Sequence, residues 1–425
     1  MKIRNVFLSF ARLATGEVFG RIATLALFVY VSRHFGVQVL GIVALAQTVA
    51  SYVMELSDQG LKLIGARLLA RNHELISYVV PFVLKRRAAL TAGAVALGAL
   101  YAVIGPVPPE ARLCILAFDF AVVPYAFALD WVAWGLGHFG ALSLWRGGVS
   151  IVYVGLAIAA MQLTMHPIAS ISGANILSAL LGAVFLLIIW KVRWNRSSGQ
   201  RAPDSLLTAA AAELRPTRVL ALGLANLLNL VFMNADILLL GAMTTTNEVG
   251  RYSAACKPLY VIFTGFWLLT DALYPHLAKL EAGARAHSVL LLVLTGLAIL
   301  SSSAALVIGL LAPQILTLIY GSTLGAARLF RILLIALPLD FCFSLLWTVL
   351  VSRGYDRAVL YSLASGATLN VALNLVFIPR FQADAAAWAT VASYGLLFLA
   401  VLSFVLRKKV LATAEHDSAI APVWA

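Results

Sequence analysis

Apolar runs long enough to cross a lipid bilayer recur along almost the whole chain, and this feature removes most soluble folds from consideration. A helix needs roughly 20 apolar residues to traverse the hydrocarbon core. Reading with that window gives candidate spans at 11–32, 38–58, 88–105, 113–135, 147–164 and 168–190, then at 219–241, 253–275, 288–311, 330–352, 358–378 and 385–406. Of the 425 residues, 62% are hydrophobic and 12% charged, against about half and a quarter in soluble domains. Backbone N–H and C=O groups in lipid must be satisfied within their own segment, which makes each span a helix. The expected fold class is all-α: a polytopic integral membrane protein of about 12 transmembrane helices.

A net charge of +13 would suit a nucleic-acid partner if the basic residues gathered on one soluble face. They lie instead in short clusters between apolar runs, so no nucleic acid is expected. Cytoplasmic loops carry the excess of Lys and Arg. With the N-terminus inside, the inner segments hold Lys62, Arg67, Arg71, Lys85-Arg86-Arg87, Lys191, Arg193, Arg196, Arg201, Arg215, Arg218 and Arg407-Lys408-Lys409. The outer ones hold only Arg33, Arg112, Arg251, Arg328, Arg331 and Arg380. A wrong helix number would scramble this asymmetry, so it supports twelve spans with both N- and C-termini cytoplasmic. The first run, with Arg12, Glu17 and Arg21, reads as a retained helix and not as a signal-peptide core. Cys114, Cys256 and Cys342 show neither paired nor metal-ligand spacing. No cofactor and no metal is expected.

The longest polar interruption in the middle of the chain, 191–217, separates six spans from six. Repeated halves are common in secondary transporters. The expected division is an N-terminal lobe 1–195 (helices 1–6), a basic cytoplasmic linker 196–217, a C-terminal lobe 218–406 (helices 7–12) and a cytoplasmic tail 407–425.

Ionisable residues inside spans are rare because they are costly, and each is a candidate functional position. Helix 1 carries Arg12, Glu17 and Arg21, the last two spaced to share a face. Arg12 and Arg21 suit an anionic substrate group with Glu17 tuning Arg21. The plainer reading is a structural ion pair, with Arg12 snorkelling to the interface. Helix 4 carries Asp119 and Asp130 on nearly one face, with Trp131 and Trp134 beside Asp130 and Pro124 between the acids. Carboxylates accept sugar hydroxyl protons and ring faces pack on pyranose, whereas an interfacial tryptophan belt is the structural alternative. Helix 7 aligns Asn226, Asn229, Met233 and Asp236 in one stripe. Helix 8 adds Lys257 and Asp271, so that Asp236 and Lys257 form either a cross-helix pair or a carboxylate and a phosphate ligand. Asn370 and Asn374 in helix 11 read as helix-to-helix glue.

An ordered set of short motifs resembles the Wzx-type, or polysaccharide-transport, lipid-linked oligosaccharide flippases of the multidrug/oligosaccharidyl-lipid/polysaccharide (MOP) exporter superfamily. The set runs Ser32-Arg33-His34-Phe35-Gly36 with Leu40-Gly41, Asp58-Gln59-Gly60 through Gly65-Ala66-Arg67 to Arg71, Asn234-Ala235-Asp236, and Val249-Gly250-Arg251-Tyr252 with Lys257. It continues with Leu273-Tyr274-Pro275, Tyr320-Gly321, Asn370-Val371-Ala372-Leu373-Asn374 and Ala385-Ala386-Ala387. Asp384 stands where the family often has Gly. The resemblance implies two six-helix lobes around a central cavity that faces the two sides alternately. It implies an undecaprenyl-pyrophosphate-linked repeat unit as substrate (O-antigen, capsule or exopolysaccharide), with Arg21 and Lys257 mapping by helix and depth onto its pyrophosphate-binding cations.

The expected site is therefore Arg21, Lys257 and Arg12 for pyrophosphate and Asp130, Trp131, Trp134 and Asn229 for sugar, with Glu17, Asp236, Asp271 and Asp119 as carriers of H+ or Na+. Expected partners are the lipid-linked oligosaccharide, membrane lipid and the polysaccharide polymerase machinery, in the bacterial cytoplasmic (inner) membrane. The rivals are a drug or metabolite antiporter, which usually has an acidic cavity, and a membrane polymerase or ligase. The latter usually carries its active site on a large outer loop, and no such loop is read here. No nucleophile–base set is evident either, so an enzyme is not expected.

Overall fold

The protein is described by a computed structural model, covering residues 3–194, 203–278, 284–353 and 355–407. The side chains of Arg12, Glu17 and Asp271 lie outside the described ones. The helices in chain order are α1 (Ile3–Asp58), α2 (Leu61–Arg71), α3 (Ile76–Ile104), α4 (Pro109–Ala126), α5 (Asp130–Gly135), α6 (Phe139–Thr164), α7 (Pro167–Ile189), α8 (Asp204–Glu213) and α9 (Pro216–Met243). Then follow α10 (Thr246–Ala278), α11 (Ala284–Leu310), α12 (Ala312–Tyr320), α13 (Ala327–Leu334), α14 (Ala336–Ser352) and α15 (Asp356–Arg407). No strand occurs among the described residues.

Among the described residues eight segments are long and apolar enough to span a membrane, and two of these, Val18–Asp58 and Arg357–Arg407, have 41 and 51 residues. At 1.5 Å per residue these are about two and two and a half times the ~30 Å hydrocarbon core. Each is also interrupted by one residue outside helical geometry, Gly36 (φ 84°, ψ 177°) in α1 and Gln382 (φ 51°, ψ −131°) in α15. Counting both as pairs gives ten. The charged helices α4 and α10 complete the twelve read from the sequence.

Boundaries differ from expectation where polar groups find partners. The third span starts at Ile76 and not near 88, because Arg86 and Arg87 are accommodated within α3. The fourth, drawn as one helix over 113–135, ends at Ala126 and restarts at Asp130. Pro124 lies in its last turn, where it supplies no backbone N–H; its carbonyl and that of Tyr125 accept the N–H groups of Phe127 and Ala128 at 3.2 Å. The tenth is broken at Ile335, three residues before Pro338, whose missing N–H leaves no donor for the Leu334 carbonyl. The amphipathic α12 was not anticipated.

The chain divides into two compact units, Met1–Leu230 and Val231–Ala425, so the boundary falls inside α9. In the first unit, Gly16 and Gly20 of α1 sit directly against Ser143 and Ser150 of α6, the close approach small residues allow between membrane helices. An apolar cluster including Leu61, Leu69, Val79, Val83, Leu129, Trp131, Leu186 and Val219 ties α2, α3, α5, α7 and the start of α9 together. On α11, Leu292, Ile299, Leu306 and Leu310 are all exposed, an apolar stripe suited to acyl chains.

Candidate functional site: buried charges in two units

At the end of α1 the chain turns through Gln59 (φ 48°) and Gly60 (φ 82°) before α2 begins. The turn is tightly seated: a Cβ on Gly60 would meet Leu222, and one on Gly223 would meet the Gln59 backbone. It presents Asp58 to two partners, the Lys62 N–H, which donates to Oδ1 at 3.3 Å, and the Arg87 Nε, which lies 3.2 Å from the same oxygen. Arg87 is only 1% exposed, and its Nη2 donates to the Tyr125 carbonyl at 3.3 Å, beside the break after α4. The Lys62 ammonium lies 3.1 Å from Oδ1 and 3.2 Å from Oδ2 of Asp130, the first residue of α5. Two cations and two carboxylates thus neutralise each other while binding α1, α2, α3 and α5 together. Glu55, one turn earlier, accepts a hydrogen bond from the Asn226 side chain of α9.

Trp131 is buried, its six-membered ring against Gly65, while Trp134 is 41% exposed and Asn229 is exposed. Asp119 is buried in the body of α4, and neither of its carboxyl oxygens has a hydrogen-bond partner. Arg21 is partly exposed on the first arm of α1, and Lys257 partly exposed on α10; both are engaged by neighbouring groups.

In the second unit Asp236 is buried. The Tyr252 hydroxyl of α10 donates to Oδ2, Thr390 of α15 reaches the same oxygen at 3.4 Å, and the Ile237 N–H donates to Oδ1 at 2.9 Å. Nearby, Tyr394 donates to the Met233 sulfur at 3.4 Å and Tyr260 to the Met233 carbonyl at 3.2 Å. Asn374 donates to Asn370 at 3.0 Å, both side chains being buried. The stripe read along helix 7 is thereby divided, with Asn226 and Asn229 in the first unit and Met233 and Asp236 in the second. Sequence reasoning missed Lys62, Tyr252 and Thr390 as partners of the singled-out acids Asp130 and Asp236, and missed Arg87 as a buried cation paired with Asp58. For Arg87 a signal existed, since three consecutive cations at the edge of an apolar run need counter-charges if the helix extends through them. The three cysteines are buried and free, and no cluster of three or more His, Cys, Asp or Glu suited to a metal occurs among the described residues.

Among the described residues the chain is all-helical, and spans of this number with charges buried inside them are the architecture of a multi-pass membrane protein. The chain belongs to the family described as polysaccharide biosynthesis protein, whose model matches residues 8–281. Among solved structures it is similar to the lipid II flippase MurJ in an inward closed conformation, at 11% identity and TM-score 0.66, over 94% of this chain and 89% of that one. It is similar to an inward-facing multidrug resistance MATE transporter of the MOP superfamily, at 14% identity and TM-score 0.59, over 96% of each chain. It is also similar to a MOP superfamily transporter from Pyrococcus furiosus, at 15% identity and TM-score 0.55, over 96% of each chain. No curated protein matches the sequence.

Proposed function

We propose that this protein is a flippase that carries an undecaprenyl-pyrophosphate-linked oligosaccharide, an O-antigen, capsule or exopolysaccharide repeat unit, from the cytoplasmic to the periplasmic leaflet of a bacterial inner membrane. The observation that carries the reading is the match to the polysaccharide biosynthesis family over residues 8–281; the shared fold with a lipid II flippase agrees with it. The sugar head is too polar for hydrocarbon, while the polyprenyl tail can remain in lipid. Arg21, Lys257 and Arg12 hold the pyrophosphate by charge-assisted hydrogen bonds. Asp130, Trp131, Trp134 and Asn229 are the proposed sugar contacts; Trp134 and Asn229 are exposed, and Trp131 is buried with its ring against Gly65. Glu17, Asp236, Asp271 and Asp119 are the candidates for binding H+ or Na+ more strongly in one state than in the other, which is what biases an alternating cycle. The lobes proposed from the sequence are 1–195 and 218–406, with the linker 196–217 and tail 407–425 on the cytoplasmic side, and the polysaccharide polymerase machinery is a proposed partner. The protein transports its substrate and makes no bonds in it.

A MATE-like antiporter is the second reading, favoured by the shared fold; basic groups at the proposed site weigh against the cationic substrates such a transporter would take. The test is translocation of a fluorescent undecaprenyl-pyrophosphate oligosaccharide in proteoliposomes. Hydrogen bonds to charged groups contribute about 1.5–3 kcal/mol, so Arg21→Ala and Lys257→Ala are each expected to lower transport roughly ten- to a hundredfold at 1.4 kcal/mol per decade. Transport that survives both keeps the function and discards the site. Folded wild type that moves no sugar lipid supports the antiporter.

A further inference from the structure

Asp119 is the one buried acid among the described residues whose two carboxyl oxygens both lack a hydrogen-bond partner. It is 1% exposed and sits near the middle of α4, which packs against α1, α3 and α7. The space it occupies exists because position 98 of α3 is glycine: a Cβ there would overlap Asp119 Oδ2 and the Val53 Cγ2 of α1. The chain therefore keeps a notch for a carboxyl group and supplies it with no donor.

The described charged groups on the surrounding helices are engaged elsewhere or exposed. On α1, Arg21 is partly exposed, Arg33 and His34 are exposed, and His34 stacks on Tyr30. Tyr52 donates to the Leu230 carbonyl at 3.4 Å, Glu55 bonds to Asn226 and Asp58 faces Arg87. On α3, Arg87 is held by Asp58 and Tyr125, Arg86 donates to the Leu214 carbonyl, Lys85 is exposed at the same end, and Tyr101 lies one turn beyond Gly98. Helix α7 carries no ionisable side chain. On α4 itself, Glu110 and Arg112 are exposed near its start, and Cys114 accepts from Ser172 at 3.8 Å. Tyr125, in the last turn of α4, gives its carbonyl to Arg87.

We propose that Asp119 is a proton-binding site built into the first unit, holding a proton while the helices are packed as seen here and giving it up when water reaches the Gly98 notch. An ionised carboxylate without donors or counter-charge is too costly in an apolar interior to persist, and the group neutralises instead. A metal cation needs several oxygen ligands, whereas a proton needs one oxygen. The proposal rests on the transporter reading for its role: one proton bound in the dry state and released in the wet one couples the proton gradient to the cycle.

The proton itself can be read without the substrate. Infrared spectra of the full chain in lipid nanodiscs are expected to show the carbonyl stretch of a protonated carboxyl at neutral pH, absent in Asp119→Asn. In proteoliposomes, an imposed pH gradient is expected to accelerate wild-type transport and to leave the rate of Asp119→Asn, measured with and without the gradient, without response. If the Asn variant misfolds, Gly98→Ala serves, because a methyl pressed on the carboxyl shifts the band. A spectrum with no band that depends on position 119 or 98 overturns the proposal. So does a gradient response retained in Asp119→Asn. If no sugar lipid moves in any preparation, the flippase reading fails, and the infrared band still decides the proton site.

Discussion

Arg87 and Asp119 are both buried charged residue types, and they are stabilised by opposite means. Arg87 has Asp58 at 3.2 Å and the Tyr125 carbonyl at 3.3 Å, so removing it strands a carboxylate. Breaking a buried pair from one side costs about 3–5 kcal/mol. Arg87→Leu is expected to lower stability by that amount in thermal melts of the detergent-solubilised protein, and adding Asp58→Asn to recover most of the loss. Equal losses in the single and double variants would mean that the pair contributes nothing specific. The sequence made Asp236 legible as a functional or structural centre because an acid in an apolar helix requires partners. It did not identify Tyr252 and Thr390, because partners on other helices depend on packing that no local spacing encodes. Arg87 was hidden for the converse reason: Lys85 and Arg86 beside it mark a membrane boundary, and that mark conceals a cation that is inside.

Elements were more legible than sites, since span length and apolarity follow from bilayer thickness alone. Where the helical hydrogen-bond pattern is interrupted was less so. The breaks after Ala126 and at Ile335 each fall close to a proline whose effect on a membrane helix depends on what re-satisfies the freed carbonyls. The break in α1 has a different origin. Gly36 adopts φ 84° and ψ 177°, a conformation open essentially to glycine and costing other residues about 1–3 kcal/mol. A Cβ at Gly36 would meet nothing within 4 Å, so steric contact plays no part. Gly36→Ala is expected to lose stability by that backbone strain alone, measured by melting temperature. An unchanged melting temperature would show that α1 can turn there in another conformation.

For the whole molecule, the orientation proposed from the basic residues has a direct check in labelling. The native cysteines are buried, so they leave a low background for single introduced thiols. Arg33→Cys and Arg380→Cys are expected to react with a membrane-impermeant maleimide on intact cells, and Lys191→Cys only after permeabilisation. The reverse pattern would invert the topology and with it the direction of transport. The breaks in α1 and α15 also bear on how such a chain is made. In each, two crossings are separated by a single non-helical residue, Gly36 or Gln382, with no loop between them. With no polar loop to rest at the surface between them, the two crossings of each pair are expected to enter the bilayer together as a helical hairpin, and an insertion at Gly36 or Gln382 that splits the pair is expected to lower the yield of membrane-inserted protein.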